Sequence, residues 1–163
     1  MATRLYPTDA PPSAALANAG TWGNTASALA RALSKHHGGA SAATSVSQAA
    51  GYYQHYRLVS GPLAAAATIS GTLTWVLLMH NSNGQGQLRL HAWVSQGDAA
   101  TPRGTLLNGW VQGGYLVGAT HAGQTDGAVA VSSVSAQAGD RVVVEVGMQD
   151  RFGSGTCGIR RAG

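Results

Sequence analysis

From Gly51 onward, apolar and polar residues alternate with a period of two, the spacing of half-buried strands. Seven segments carry this pattern: "YYQHYRLVS" (Tyr52–Ser60), "ATISGTLTWVLLMH", "GQLRLHAWVSQ", "GTLLNGWVQ", "GGYLVGAT", "GAVAVSSVSA" and "DRVVVEVGMQ". Gly, Pro, Asn or Asp separates them about every ten residues, a spacing that suggests an all-β sandwich or barrel, with an antiparallel β-sandwich as the expectation. Between the second and third segments lies Asn83-Gly84, a strong hairpin signal. With those two residues as the turn, Trp75 faces Ala92, Leu77 faces Leu90 and Met79 faces Leu88 on one wholly apolar face. Thr74, Val76 and Leu78 then meet Trp93, His91 and Arg89 on a mixed face. A slip of one residue would destroy that agreement. The expected core is Trp75, Leu77, Met79, Leu88, Leu90, Val94, Val142, Val144 and Val146.

The first fifty residues read differently. "ATRLY" has the composition of a short strand, and "PTDAPPSA" then breaks regular structure with three prolines. Residues 1–19 are expected to form an extended N-terminal arm, with residues 20–163 as the sandwich domain. The arm has little apolar bulk, so it is expected to pack on a neighbouring chain, through Leu5 and Tyr6. In "TASALARALSKHHGG", Ala26, Leu29, Ala30 and Leu33 fall at helical spacing, Thr25 is a candidate cap and Gly38-Gly39 a stop. One short helix is predicted there. The chain shows no internal repeat.

Composition narrows the classes of function. Charged residues are 10% of the chain and Gly is 23 of 163, against 44% hydrophobic. Nine arginines and one lysine give a net charge of +4, and they are scattered. A nucleic-acid reader clusters its charges, so no sequence-specific nucleic-acid binding is expected. No run approaches the ~20 apolar residues of a membrane helix, and the start carries no apolar signal region. The expectation is a protein made and folded in a cytoplasm. A single cysteine, Cys157, excludes an internal disulfide.

No constellation of catalytic or metal-ligating residues appears. Asp98, Asp126 and Asp140 sit in turn contexts, where aspartate belongs because its side chain bonds nearby backbone amides. The six histidines lack zinc-site spacing. There is no nucleophile elbow, and "RFGSGTCG" lacks the lysine and helix of a phosphate loop. No catalytic residue, metal or cofactor is predicted. Glu145, the only glutamate, alternates with Val142, Val144 and Val146 and shares the less apolar face with Arg141, which reads as an outward charge. Arg89, His91 and Trp93 share the mixed face and form a candidate partner-binding platform.

"MATRLYPTDAPP", "TWGNTASALARAL", "LVSGPLAAAATISGTL", "QGDAATPRGTLL" and "AGDRVVVEVG" together resemble a family of small virion structural proteins of tailed bacteriophages. The resemblance touches most of Met1–Met148 and rests on turn and strand signatures. It implies a jelly-roll-like sandwich acting as a decoration protein of the capsid: a homotrimer bound to the major capsid protein or another virion protein, with no catalytic residues. The alternatives are a glycan-binding module of a tail or fibre, with Trp93 or Trp110 as the platform, and, more weakly, a cytoplasmic hydrolase.

Overall fold

In the computed structural model, residues 5–25, 28–35, 43–48, 50–113, 116–151 and 155–161 are described. Among them the chain is all-β, with nine strands and no helix. The strands are β1 (Tyr6–Pro7), β2 (Leu29–Ser34), β3 (Ala43–Gln48), β4 (Gly51–Ser60), β5 (Ala67–Ser95), β6 (Pro102–Val111), β7 (Leu116–Ala136), β8 (Arg141–Asp150) and β9 (Gly155–Arg161).

The long strand β5 belongs to two layers, which makes the fold sandwich-like. Its second part, Gly86–Ser95, pairs with β8, and from Arg89 it pairs with β6 on the other side. β8 then pairs with β4, β4 with β2 and β2 with β1. The first part, Ala67–Asn81, pairs with β7, and Leu77–Asn81 also pairs with β9, which pairs with β3. Side chains of both layers meet in one core: Leu77, Met79 and Ile159 from one, Leu88, Leu90, Val94, Val146 and Met148 from the other.

The expected hairpin does not form. The two arms flanking Asn83-Gly84 pair with other strands, and the register to β7 shifts between Asn81 and Gly86. The alternation was nevertheless informative. Leu77 and Met79 do join Leu88 and Leu90, but face to face between layers rather than side by side in one ladder. Apolar periodicity fixes which side chains are inward and is silent on which edge finds which edge. Of the expected core, Leu77, Met79, Leu88, Leu90, Val94 and Val146 are buried, while Trp75, Val142 and Val144 are partly buried against it.

The expected helix is also replaced. Leu29–Ser34 is a strand, parallel to β4 with Leu29 beside Tyr56 and Leu33 beside Ser60. Its helical spacing rested on alanines, whose small side chains fit either structure, and the open edge of β4 decides the outcome. This pair also makes the sheet mixed rather than purely antiparallel. The rest of the expected helix, Ala26-Ser27 and His36–Gly39, lies outside the described residues.

The N-terminal segment lies on its own sheet. Thr8 donates its amide and its hydroxyl to the Ala32 carbonyl at 2.9 and 3.0 Å, and the Ala32 amide donates to Ala10 at 2.9 Å. Residues 13–22 then cross the outer face of β4, β8 and β5. Ala14 and Leu16 pack there on Val59, Trp93 and Val143 in a second, smaller core. The expectation that this segment needs a neighbouring chain for its contacts is therefore corrected. What it lacks in apolar bulk is made up by backbone donors that find acceptors on the sheet.

Candidate functional site

Two places combine chemistry or shape beyond ordinary packing: a buried carboxylate on the outer face of the first layer, and an open apolar groove between the layers.

The carboxylate is Glu145, on β8. It has no solvent exposure. β8 alternates, so Glu145 points away from the main core, but that outer face is roofed by the N-terminal segment. Four N–H groups converge on it. The Ala19 amide donates to Oε1 at 2.8 Å and the Gly20 amide to Oε2 at 3.0 Å. The Trp22 indole donates to Oε2 at 2.6 Å and the Trp93 indole to Oε1 at 3.0 Å. Each oxygen thus accepts twice, which offsets the cost of burying a charge. The reading of Glu145 as an outward charge was wrong for a definite reason: the strand face is outward, but a covering segment closes it.

The surroundings are fitted to this lock. Gly147 follows on the same face, and a Cβ there would meet the Tyr53 carbonyl oxygen and the Trp22 ring. Glycine is needed for Trp22 to lie down. Arg57 stands beside Glu145 on β4 and donates from Nη1 to Asn18 Oδ1 at 3.0 Å. Arg89 places its guanidinium carbon 3.9 Å from the Tyr52 ring centroid and 5.5 Å from that of Trp22, pinning the end of the segment by cation–π contacts.

His91 faces Glu145 across the β5–β8 ladder. It is buried, and its Nδ1 accepts the Gly109 amide at 3.2 Å. Burial pulls its pKa below the ordinary value; Glu145 pushes up and Arg89 pushes down. A ring whose Nδ1 accepts from a backbone amide is neutral, which agrees with that direction. With every carboxylate oxygen saturated and no solvent access, this cluster is a fastening.

A second acid anchors turns. Asp140 accepts the Gln137 amide at 2.8 Å and the Gly97 amide at 3.1 Å. Arg103 donates to both of its oxygens, from Nε and, at 3.0 Å, from Nη2. Chiefly through Arg103, its pKa falls to about 2. The expected turn role of Asp140 is thus met, with Arg103 added. Near it, Arg141 donates to Asp98 at 2.6 Å, to Ser13 at 2.9 Å and to the Ser60 carbonyl at 3.0 Å. Arg141 ties the N-terminal segment to the end of the sheet.

The groove lies where the layers do not close on each other. It has a volume of about 1570 Å³, and among the described residues Lys35 is the one charged residue that lines it. Val142, Val144, Leu73 and Trp75 form part of its walls, and Leu5 and Tyr6 line it as well. Trp75 packs against Trp110 in a tilted arrangement, with ring centroids 5.0 Å apart and planes at 58°.

The residues expected to bind a partner are therefore divided between two places. Leu5 and Tyr6 belong to the groove. Arg89, His91 and Trp93 lie on the far face of the first layer, under the N-terminal segment. Trp93 has no exposure and cannot serve as a platform; the segment that covers it is the part of the chain in which no regular pattern is legible. Sequence reasoning missed the Trp22–Glu145–Trp93 cluster because its donors are backbone amides and indoles from distant segments. A lone glutamate within a valine run beneath a glycine, Gly147, was the available signal.

Among the described residues, no group of three or more His, Cys, Asp or Glu side chains is placed to hold a metal ion. No helix among them is long and apolar enough to cross a membrane. No protein-family model matches the chain, and a comparison with curated proteins gives no match.

Proposed function

We propose that this chain is a structural protein of a tailed-bacteriophage virion, a decoration protein that binds the capsid shell and stabilises the head without catalysing a reaction. The observation that carries this reading is the groove. At about 1570 Å³ it exceeds the roughly 300–1,000 Å³ of small-molecule pockets. Its walls are apolar and nearly uncharged, as in surfaces that bury against protein. The polar cluster around Glu145 is closed and saturated, so it offers no reacting group to a substrate. The resemblance of its turn and strand signatures to those of virion structural proteins points the same way.

The glycan-binding alternative loses support, because Trp93 is buried and Trp110 is packed against Trp75. The test is binding of the purified chain to head shells that lack it, with Leu73→Asp as the groove variant. Saturable binding that raises the thermal stability of the heads, and that Leu73→Asp abolishes, is the expected result. Absence of binding, or binding indifferent to Leu73→Asp, would contradict the reading.

A further inference from the structure

We infer that the groove receives a second copy of this chain, paired edge to edge through Ala67–Val76 of β5. The inference rests on the proposed function's reading of the groove as a protein-docking surface: with the groove filled by the second copy, it is the dimer that docks on the head shell, and Leu73→Asp acts on head binding by breaking the dimer.

The first observation is an open strand edge. Ala67–Val76 pairs with β7 on one side. On its other side β9 pairs only from Leu77 onward. Among the described residues no strand continues along Ala67–Val76 where β9 stops. The groove lies along this same stretch: every residue from Ala67 to Leu77 lines it, both those pointing inward and those pointing outward. A groove that touches consecutive residues of a strand runs along its edge, where backbone N–H and C=O groups face the opening. The occupant that satisfies such an edge is another strand, as in β-augmentation.

The second observation selects which strand. "ATISGTLTWV" has no charge and no proline, two of the devices that blunt an edge, and its one irregularity, a register shift between Ile69 and Gly71, leaves Thr72–Val76 regular. It is also self-complementary. Ile69, Leu73 and Trp75 are partly buried on the groove side, while Thr68, Ser70, Thr72, Thr74 and Val76 are exposed on the other. An antiparallel pair centred on Thr72 sets Ile69 against the partner's Trp75 and Gly71 against the partner's Leu73, all on the groove side. Thr68 then meets the partner's Val76, Ser70 the partner's Thr74, and Thr72 the partner's Thr72. Both apolar faces stay on one side, so the added strand extends the β5–β7 layer over Val142 and Val144. This is an isologous two-fold contact, in place of the trimer that the resemblance implies.

The test uses the full chain. Sedimentation equilibrium is expected to give twice the 16.5 kDa mass of the chain. Thr72→Lys sets two lysines opposite each other, and like charges directly opposed destabilise a strand pair. Thr72→Lys and Thr72→Glu should each be monomeric with unchanged far-UV circular dichroism, and mixing them should restore the dimer. Independently, Thr72→Cys in a Cys157→Ser background should oxidise to a covalent dimer, since directly opposed Cα atoms lie roughly 4.5–5.5 Å apart, within disulfide reach. A monomeric or trimeric native chain, a Thr72→Lys dimer, no recovery on mixing, or no crosslink would each overturn the inference. A dimer that fails to bind head shells would leave this inference standing and remove the proposed function; a monomer that binds them would do the reverse.

Discussion

Trp22 and Glu145 stand 123 residues apart in the chain, and the indole N–H of one donates to the carboxylate of the other at 2.6 Å. It is the shortest of the four donations that Glu145 receives. Through it, and through the Ala19 and Gly20 amides, the irregular N-terminal segment becomes the roof of a β-sheet. The segment orders at a backbone entropy cost of about 1–2 kcal/mol per residue. Leu16, Ala14 and this carboxylate supply the contacts that offset it.

Replacing Glu145 by Ala leaves four N–H groups without an acceptor, two of them indoles. Hydrogen bonds to a charged group contribute about 1.5–3 kcal/mol each, and their losses are not additive within one network. The expected loss is about 3 kcal/mol in denaturant unfolding, with early proteolytic cleavage within residues 8–24. Glu145→Ala with native stability and an uncut N-terminal segment would show that the lock contributes little.

Gly147→Ala tests the same element from below. Its Cβ would meet the Trp22 ring and the Tyr53 carbonyl oxygen, so the indole must lift off the sheet. Overpacking of this kind costs about 1–3 kcal/mol. Tryptophan emission should shift to longer wavelength as Trp22 meets water, while the β-sheet circular dichroism stays. An unchanged spectrum would place Trp22 elsewhere.

What the sequence disclosed follows a physical division. Leu88, Leu90 and Val146 were legible as inward residues because strand side chains alternate strictly. β4 and β8 were legible because turn residues bound them. The Asn83-Gly84 hairpin was misread because alternation does not choose pairing partners. β2 was misread because alanines at helical spacing carry little information. The Glu145 lock was hidden because Ala19 and Gly20 act through their backbones, which every residue possesses. The groove depends on where β9 stops relative to β5, a tertiary fact with no local signature.

Acid should act through two groups in separate windows. His91 has its pKa below the ordinary 6.5, first through burial. Below that pH the unfolded chain takes up a proton that folded His91 resists, so stability is full above pH 6.5 and falls as pH drops beneath it. His91→Asn keeps an acceptor for the Gly109 amide and should flatten this part of the stability curve. Asp140 is held near 2 against an ordinary 3.8, chiefly by Arg103. Its contribution is present above pH 3.8 and is lost as pH falls through about 2. Asp140→Asn should be destabilised at neutral pH and lose that lower limb. Denaturant midpoints measured across pH check both; slopes unchanged in the variants would contradict the assignments.

Leu90 is 1% exposed and packs where the two layers meet. Leu90→Ala should cost about 2–5 kcal/mol. Val144 is partly buried at the groove, so Val144→Ala should cost less in the isolated chain. Thermal and urea unfolding of the two variants give the comparison. With both changes made in the monomeric Thr72→Lys background, equal losses would mean that the groove is closed without a second copy.

The proposed structural role in the virion is tested by cryo-electron microscopy of intact tailed-phage particles whose genome encodes this chain. Density for the two-layered fold is expected on the outside of the head, at regular positions on the capsid lattice, with the groove side covered by protein. Particles that lack the chain altogether, or that carry it on a fibre tip with the groove open, would contradict it.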